Sequence, residues 1–298
     1  MLPAQKRRTN QEEANILLGA HFSIAGGLHK ALLTAQAHGC TALQMFTKNA
    51  STWKERRLST QDIEQFHAAR NHSHVRSICA HAAYLINLAS PDPQKYERSI
   101  MALEQELVRS SQLHITDVIL HPGAHMGMGE EQGLRRIADG IHRVFDRVPD
   151  TACRVLLETT AGQGSNVGYV FEHLAAIADM VDDKKRMGFC FDTCHVFAAG
   201  YDLRTKMAYT ETMKAFDKTL GFERLHVMHL NDAKKGLGSR RDRHDHVGEG
   251  HLGIEAFRLI MNDPRLKTVP KILETPKEKG PVDYDRLNLE RLRSLMQH

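Results

Sequence analysis

The sequence predicts an α/β protein of the (β/α)8, or TIM barrel, class with a metal site at the carboxyl ends of its strands. The first observation is a rhythm, in which eight short apolar runs alternate with segments of helical periodicity along the 298 residues. The second is spacing: the last six runs end about 34 to 45 residues apart, and one strand-helix unit with its loops takes about 30 residues or more. The third is chemistry, because those six runs end in side chains that bind metals, and catalytic groups of this fold lie where the strands end.

The eight predicted strands follow one another in chain order. The first two end at His21 and near Lys48. The other six are ICAH ending at His81, VILH at His121, VLLE at Glu158, GFCFD at Asp192, HVMH at His229 and KILE at Glu274. The runs are rich in Val, Ile, Leu and Phe, which is typical of parallel strands covered on both faces.

The alternation of side chains along a strand predicts which of them face the interior of the barrel. Glu158 at a strand end places Leu156 on the same inner face, and Leu157 then packs against the helices. By the same alternation, Cys190 shares a face with Asp192.

Helical patterns separate the strands. Residues 59–70 open with Ser59 and Asp62 at the spacing of a capping box. Further helices are predicted over 95–113, 134–148 and 168–181. Residues 233–253, rich in Gly, charge and His, are predicted as a long loop between the seventh strand and its helix.

Length and composition favour one domain. We predict a flexible polar tail over 1–14 and a single barrel domain over 15–298, because barrels of this type commonly exceed 200 residues in one domain.

A net charge of +4 permits a polyanionic partner without requiring one. Five scattered Cys without a CxxC pair indicate neither a disulfide framework nor a zinc ribbon. No apolar stretch approaches the ~20 residues that span a bilayer. We therefore expect a cytoplasmic monomer that does not bind membranes.

The number of candidate ligands indicates more than one metal ion. Beyond the six strand ends, Asp242 and His244 lie in the loop after the seventh strand, and His195 follows Asp192 by one helical turn. One such side chain alone would be an ordinary residue of the barrel rim, but six in phase favour a metal site. These nine exceed the three or four ligands that one zinc ion needs, and suffice for two or three ions if some carboxylates bridge. Paired ions about 3.5–4 Å apart can stabilise both the attacking and the leaving oxygen of a phosphoryl displacement.

Nine motifs stand out along the chain: GAHFSIAGGL (19–28), FTKN (46–49), HAAYLINLAS (81–90), LHPGAH (120–125), LETTAGQGSNVG (157–168), FDTCHVFAAGYDLR (191–204), MHLNDAK (228–234), SRRDRHDHVGEG (239–250) and ILETP (272–276). Through these motifs the sequence resembles the endonuclease IV family of apurinic/apyrimidinic endonucleases over about residues 17 to 276. The resemblance implies a DNA repair enzyme with three zinc ions, manganese being an option at one position. Such an enzyme hydrolyses the phosphodiester 5′ to an abasic site in double-stranded DNA, leaving a 3′-hydroxyl and a 5′-deoxyribose phosphate.

The resemblance also implies a role for each candidate ligand. By motif, the ligands would be His81, His121 and Glu158 for the first zinc, the bridging Glu158 with Asp192, His229 and Glu274 for the second, and His195, Asp242 and His244 for the third. A zinc-bound hydroxide would attack phosphorus in line. The catalytic carboxylates would be Glu158, which keeps the first two ions close, and Glu274, which orients or deprotonates the attacking water.

DNA contacts are predicted around the metal site. Tyr84 and Leu85 look like the wedge that this family pushes into a kinked duplex. The other predicted contacts are Lys48, Asn49, Lys234 and Arg243, of which the last two belong to a basic run that could otherwise be a solvated face. Two positions depart from the family pattern: Ser51 stands where an Arg often enters the base stack, and Thr159 where Asn is common. The Gly-rich segment 161–168 is either a phosphate cradle or a tight strand-to-helix turn.

Two other functions stay open at this level. A metal-dependent sugar isomerase or epimerase on the same kind of barrel would need four of the candidates, namely Glu158, Asp192, His229 and Glu274. The other five candidates would then have no purpose, which argues against this alternative. The second alternative is a DNA-binding protein without catalysis, in which metals only hold loops. Isomerisation of a sugar would identify the first alternative, and binding of DNA without cleavage would identify the second.

Overall fold

A computed structural model describes residues 16–54, 56–277 and 280–296, so the tail predicted over 1–14 lies outside the described residues. Eight parallel strands close into a barrel, which confirms the predicted fold class. The barrel strands are β1 (Leu18–His21), β2 (Ala42–Met45), β3 (Ser77–His81), β4 (Asp117–Leu120), β5 (Arg154–Glu158), β6 (Met187–Asp192), β7 (Leu225–His229) and β10 (Lys271–Leu273). Closure occurs where β10 pairs with β7 on one side and with β1 on the other.

Helices follow the strands and cover the barrel. They are α1 (Leu28–Ala37), α2 (Thr60–Asn71), α3 (Pro93–Gln112), α4 (Glu130–Arg147), α5 (Phe171–Met180), α6 (Thr193–Ala199), α7 (Lys206–Leu220), α8 (Gly253–Met261) and α9 (Tyr284–Ser294). The capping box predicted for α2 is present, with Ser59 and Asp62 each accepting a hydrogen bond from the other's backbone N–H. In the described part of the chain, no helix is both long enough and apolar enough to cross a membrane.

Small and apolar side chains fill the middle of the barrel. They are Ala42, Cys79, Ile119, Leu156, Cys190, Val227 and Ile272. Leu157 instead belongs to the larger core between the strands and the helices, which confirms the alternation predicted for β5. On β1 the equivalent position is Gly19, where an added Cβ would meet the backbone carbonyl of Ala42, so this crowded point leaves no room for a side chain.

Two residues further along the chain, at or just beyond the end of each barrel strand, the corresponding position is polar in all eight cases. These positions form what we call the mouth ring: His21, Gln44, His81, His121, Glu158, Asp192, His229 and Glu274. Their side chains contact one another across the barrel, as the pairs of Gln44 with Glu274 and of His229 with Glu158 show. Because all parallel strands end at the same edge, the barrel concentrates imidazoles, carboxylates and one amide at its carboxyl end.

The segment predicted as a loop over 233–253 contains an ordered hairpin, so that prediction was incomplete. Strands β8 (Asp232–Ala233) and β9 (His244–Asp245) pair antiparallel. The carboxylate of Asp232 is buried and accepts hydrogen bonds from the backbone N–H groups of Gly248 and Leu252. Two-residue strands carry no periodic signal, and a carboxylate that binds N–H groups 16 and 20 residues away leaves no local trace in a sequence.

Candidate metal centre

Glu158 lies at the centre of the mouth ring and is completely buried. Its Oε2 is 3.2 Å from Nε2 of His81 and 3.0 Å from Nε2 of His121. Its Oε1 is 2.9 Å from Nδ1 of His229 and 3.3 Å from Nδ1 of His195. Oε2 therefore faces the imidazoles of His81 and His121, and Oε1 faces that of His229, which suits a carboxylate that bridges two metal ions.

The candidate ligand atoms gather into overlapping groups, within each of which all atoms lie within 4.8 Å of one another. The groups made only of His, Asp and Glu are His81 with His121 and Glu158; Glu158 with Asp192, His229 and Glu274; and Asp192 with His195 and His244. A further group joins Asp242 and His244 to the thiol of Cys194. The structure thus brings all nine predicted ligands together, and their binding of metal stays a prediction.

Two imidazole nitrogens of this centre are buried and form no hydrogen bond among the described residues. They are Nε2 of His195 and Nε2 of His244. The carboxylate oxygens of Asp242 lie 3.1 Å from the first nitrogen and 3.3 Å from the second, without hydrogen-bond geometry. A cation held by these three side chains would satisfy both nitrogens, so this donor set fits a metal ion.

The electrostatics of the mouth ring favour ionised carboxylates. Burial alone would raise the pKa of Glu158, but the imidazoles of His121 and His229 outweigh burial and hold that pKa well below its usual value. Burial also opposes ionisation of Glu274, and His229, His21 and His81 together outweigh it, so the pKa of Glu274 is lowered as well. Metal ligands must be deprotonated, and this arrangement supplies deprotonated carboxylates.

Two buried polar residues support the candidate ligands. Asn231 donates through Nδ2 to Oδ2 of Asp192 at 2.7 Å, and its Oδ1 accepts from the backbone N–H of Glu274 at 2.8 Å. The Thr159 hydroxyl accepts from the backbone N–H of Asp192 at 2.9 Å, and the Thr159 carbonyl accepts from Nδ1 of His195 at 2.8 Å. No role was assigned to Asn231 from the sequence, and Thr159 was noted only as a position where the family commonly has Asn. Their position within two residues of a strand end is the signal that could have identified both.

One member of the mouth ring, Gln44, was missed at the level of sequence. The second strand was predicted to end near Lys48, whereas β2 ends three residues earlier. Alternation from Ala42, on the inner face, would have placed Gln44 in the ring. His21 was predicted as a strand end without a role, and it lies beside Gln44 with 2.9 Å between Nδ1 and Nε2.

Tyr84, the predicted DNA wedge, lies beside the mouth ring and is 65% exposed. Its ring centroid is 5.4 Å from that of Phe46, in an edge contact, and 5.6 Å from that of His81. Leu85 is half-buried next to it. An exposed aromatic ring supported by two others suits insertion into a base stack, and this role stays a prediction.

The other predicted DNA contacts differ in their exposure. Lys234 and Arg243 are exposed on the β8–β9 hairpin, and Asn49 is exposed in the loop after β2. Lys48 is only 3% exposed, and its Nζ donates to the carbonyl of Thr52 at 2.6 Å. The contact that the structure shows for Lys48 therefore holds the loop after β2, and its binding of DNA stays a prediction.

The Gly-rich segment 161–168 is closed by hydrogen bonds at its base. The backbone N–H of Thr160 donates to the carbonyl of Gly168 at 3.0 Å, and the Thr160 hydroxyl donates to the carbonyl of Val167 at 2.9 Å. Helix α5 begins only at Phe171. These contacts favour the tight turn over the phosphate cradle.

Comparisons with known proteins agree in fold and in family. Residues 32–295 match a family model described as a xylose isomerase-like TIM barrel. A probable endonuclease 4 of Geobacter sp. (strain M21) is 47% identical over 285 residues, which covers 94% of this chain and 99% of the relative. A probable endonuclease 4 of Geobacter sulfurreducens is 46% identical over 282 residues and covers 95% of both chains.

Solved structures also superpose on this chain. The crystal structure of endonuclease IV from Thermus thermophilus superposes with a TM-score of 0.82 at 37% identity and covers 93% of this chain and 98% of that one. A D-tagatose 3-epimerase-like protein superposes with a TM-score of 0.71 at 18% identity, covering 93% of this chain and 96% of that one. At this low identity the second likeness shows a shared barrel and nothing about the reaction.

Proposed function

The chain belongs to the endonuclease IV family of apurinic/apyrimidinic endonucleases, and from that premise we propose that it hydrolyses the phosphodiester 5′ to an abasic site in double-stranded DNA. The products are a 3′-hydroxyl and a 5′-deoxyribose phosphate. The observation that carries the proposal is the buried Glu158, which faces His81 and His121 with one oxygen and His229 with the other at the mouth of the barrel. A centre that holds two ions close together suits the displacement at phosphorus.

The proposal assigns three zinc ions to the centre, with manganese an option at one position. The ligands are His81, His121 and Glu158 for the first ion, Glu158, Asp192, His229 and Glu274 for the second, and His195, Asp242 and His244 for the third. When bound, zinc supplies a nucleophile at neutral pH because it lowers the pKa of a water molecule toward about 7.

The two catalytic carboxylates are exposed to different degrees, and this separates their roles. The side chain of Glu158 has no exposed surface, whereas that of Glu274 is 14% exposed. Glu158 would therefore hold and neutralise cations, whereas Glu274 can also reach water. Oε1 of Glu274 accepts from Nε2 of Gln44 at 2.5 Å, so Oε2 would be the oxygen that binds the second ion and that orients or deprotonates the attacking water.

Selection of the damaged site rests on the cost of extruding a nucleotide. A nucleotide without a base neither stacks nor pairs, so it leaves the duplex at little cost. In the proposal, Tyr84 and Leu85 enter the duplex from the rim while Asn49, Lys234 and Arg243 contact the backbone. Lys48 can join them only if its ammonium leaves Thr52.

The test uses an end-labelled duplex with one tetrahydrofuran abasic analogue, which cannot undergo β-elimination, in buffer without Mg²⁺. We expect a single cut 5′ to the analogue with a 3′-hydroxyl that a polymerase extends, and no cut in the matched undamaged duplex. Removal of metal by a chelator should abolish the cut, and zinc should restore it. A protein that leaves the duplex uncut after zinc or manganese is restored would refute the proposal.

The proposal also places the protein in the cytoplasm as a monomer. All five Cys are free and buried, as expected where thiols stay reduced. Light scattering at working concentration tests the monomer directly, and a mass of two chains would contradict it.

A further inference from the structure

The buried amide of Gln44 joins three members of the mouth ring. Its Oε1 is 2.7 Å from Nε2 of His229. Its Nε2 lies 2.5 Å from Oε1 of Glu274 and 2.9 Å from Nδ1 of His21. Gln44 has no exposed surface, so these contacts replace any contact with water.

The chemistry of these partners allows one orientation of the amide. An ionised carboxylate only accepts hydrogen bonds, so the NH2 group of Gln44 must face Glu274. The amide carbonyl then faces His229, whose Nε2 must carry the proton and donate it. Nδ1 of His229 lies on the opposite side of the ring and faces Glu158 at 2.9 Å and Asp192 at 3.7 Å, so it is the nitrogen that would bind the second ion.

Other imidazoles of the centre are oriented in a similar way, but by the backbone. Nδ1 of His81 is 2.7 Å from the carbonyl of Ala82, and Nδ1 of His195 is 2.8 Å from the carbonyl of Thr159. Nδ1 of His244 likewise lies 3.1 Å from a backbone carbonyl. For His229 a side-chain amide supplies the carbonyl, so this support can be removed by mutation.

We propose that Gln44 is a positioning residue for the second metal ion, fixing the tautomer and ring orientation of His229 and the rotamer of Glu274. This inference rests on the metal assignment of the proposed function. Histidine ligands commonly donate their second N–H to a carboxylate, a backbone carbonyl or water, and loss of that partner typically weakens metal binding by about 10- to 100-fold. One amide here serves an imidazole ligand and a carboxylate ligand of the same ion.

The test compares the parent protein with Gln44→Met, which keeps the length of the side chain and removes its hydrogen bonds. Zinc affinities are measured by competition with a chromophoric chelator. We expect one of the three ions to bind about 10- to 100-fold more weakly and the other two to be unchanged. Gln112→Met, at the exposed end of α3, is the matched control and should bind all three ions as the parent does. Three unchanged affinities in Gln44→Met would overturn the inference.

A spectroscopic readout separates positioning from general destabilisation. In zinc-loaded protein with ¹⁵N-labelled His, the Nε2 proton of His229 should exchange slowly with water in the parent and rapidly in Gln44→Met. If Gln44→Met does not fold, Gln44→Asn keeps an amide but shortens its reach, and the same two measurements apply. An Nε2 proton that exchanges equally slowly in the variant contradicts the inference.

The inference and the proposed function can fail separately. A parent that binds three zinc ions but leaves the abasic duplex uncut refutes the function, while the zinc affinities still decide the role of Gln44. A parent that cuts, beside a variant that holds zinc equally well, refutes the role of Gln44 alone. A parent that binds no metal overturns both.

Discussion

Replacement of Glu158 by Gln should disable the centre, because it removes a buried charge while keeping the size of the side chain. The two oxygens of Glu158 lie within 3.3 Å of four imidazole nitrogens, and no water reaches the side chain. Removing one partner of a buried charge pair costs about 3–5 kcal/mol. At about 1.4 kcal/mol for each factor of ten, this corresponds to about two to four orders of magnitude in metal affinity and in nicking rate.

The assay combines single-turnover nicking of the abasic duplex with the zinc content of the same sample after gel filtration. We expect Glu158→Gln to lose at least one zinc ion and to nick about 10²- to 10⁴-fold more slowly. Glu106→Gln is the matched control, because Glu106 is equally buried but pairs with Arg109 at 3.0 Å, outside the mouth ring. This control should melt at a lower temperature and keep its zinc. A Glu158→Gln protein with the zinc content and nicking rate of the parent would refute the bridging role.

Three further predictions concern DNA binding and stability. Tyr84→Ala should weaken binding of abasic duplex about tenfold, since a stacked aromatic contributes about 1–3 kcal/mol. The control Met180→Ala, at the end of α5, should bind as the parent does. If fluorescence anisotropy gives Tyr84→Ala the same dissociation constant as the parent, the wedge role is wrong. Arg243→Gln should reduce the slope of log affinity against log salt by about one, whereas Lys185→Gln, exposed before β6, should leave it unchanged. Burial lowers the pKa of Lys271 to about 8, whereas an unfolded Lys titrates near 10.4, so between these values the unfolded state binds more protons and stability rises with pH. The measurement is urea unfolding of the metal-free protein. Across this pH range, the free energy of unfolding should rise by about 3 kcal/mol more in the parent than in Lys271→Met. If the difference in unfolding free energy between the two proteins is the same at every pH, the pKa of Lys271 is not lowered.

The eight-stranded barrel and most of the candidate centre could be predicted from the sequence because each ligand on a strand ends an apolar run. His81, Glu158 and His229 are visible in this way. Gln44 does not end such a run, so only alternation from Ala42 could have placed it in the ring. Its contact with His229, 185 residues away, depends on the register of the closed barrel. Asn231 was overlooked for a related reason. Its amide joins Asp192 to the backbone of Glu274, and both residues lie far from it along the chain.

The hairpin after β7 was not predicted because the residue that holds it together, Asp232, contacts groups far along the chain. The carboxylate of Asp232 binds backbone N–H groups up to 21 residues further along the chain. Local periodicity carries no information about such contacts. The orientation of Lys48 was hidden likewise, since a sequence does not show whether an ammonium turns toward solvent or toward a carbonyl of its own loop.

The distribution of the mouth ring over the ends of all eight strands makes the proposed metal sites depend on closure of the barrel. Glu274 follows β10, and β10 docks between β7 and β1, so an intermediate with an open barrel lacks a complete second site. The proposed ions then stabilise the closed barrel and not its open precursors, by about 2.7 kcal/mol for each site at a free ion concentration one hundred times its dissociation constant. The rate of zinc capture during refolding would therefore report when the barrel closes.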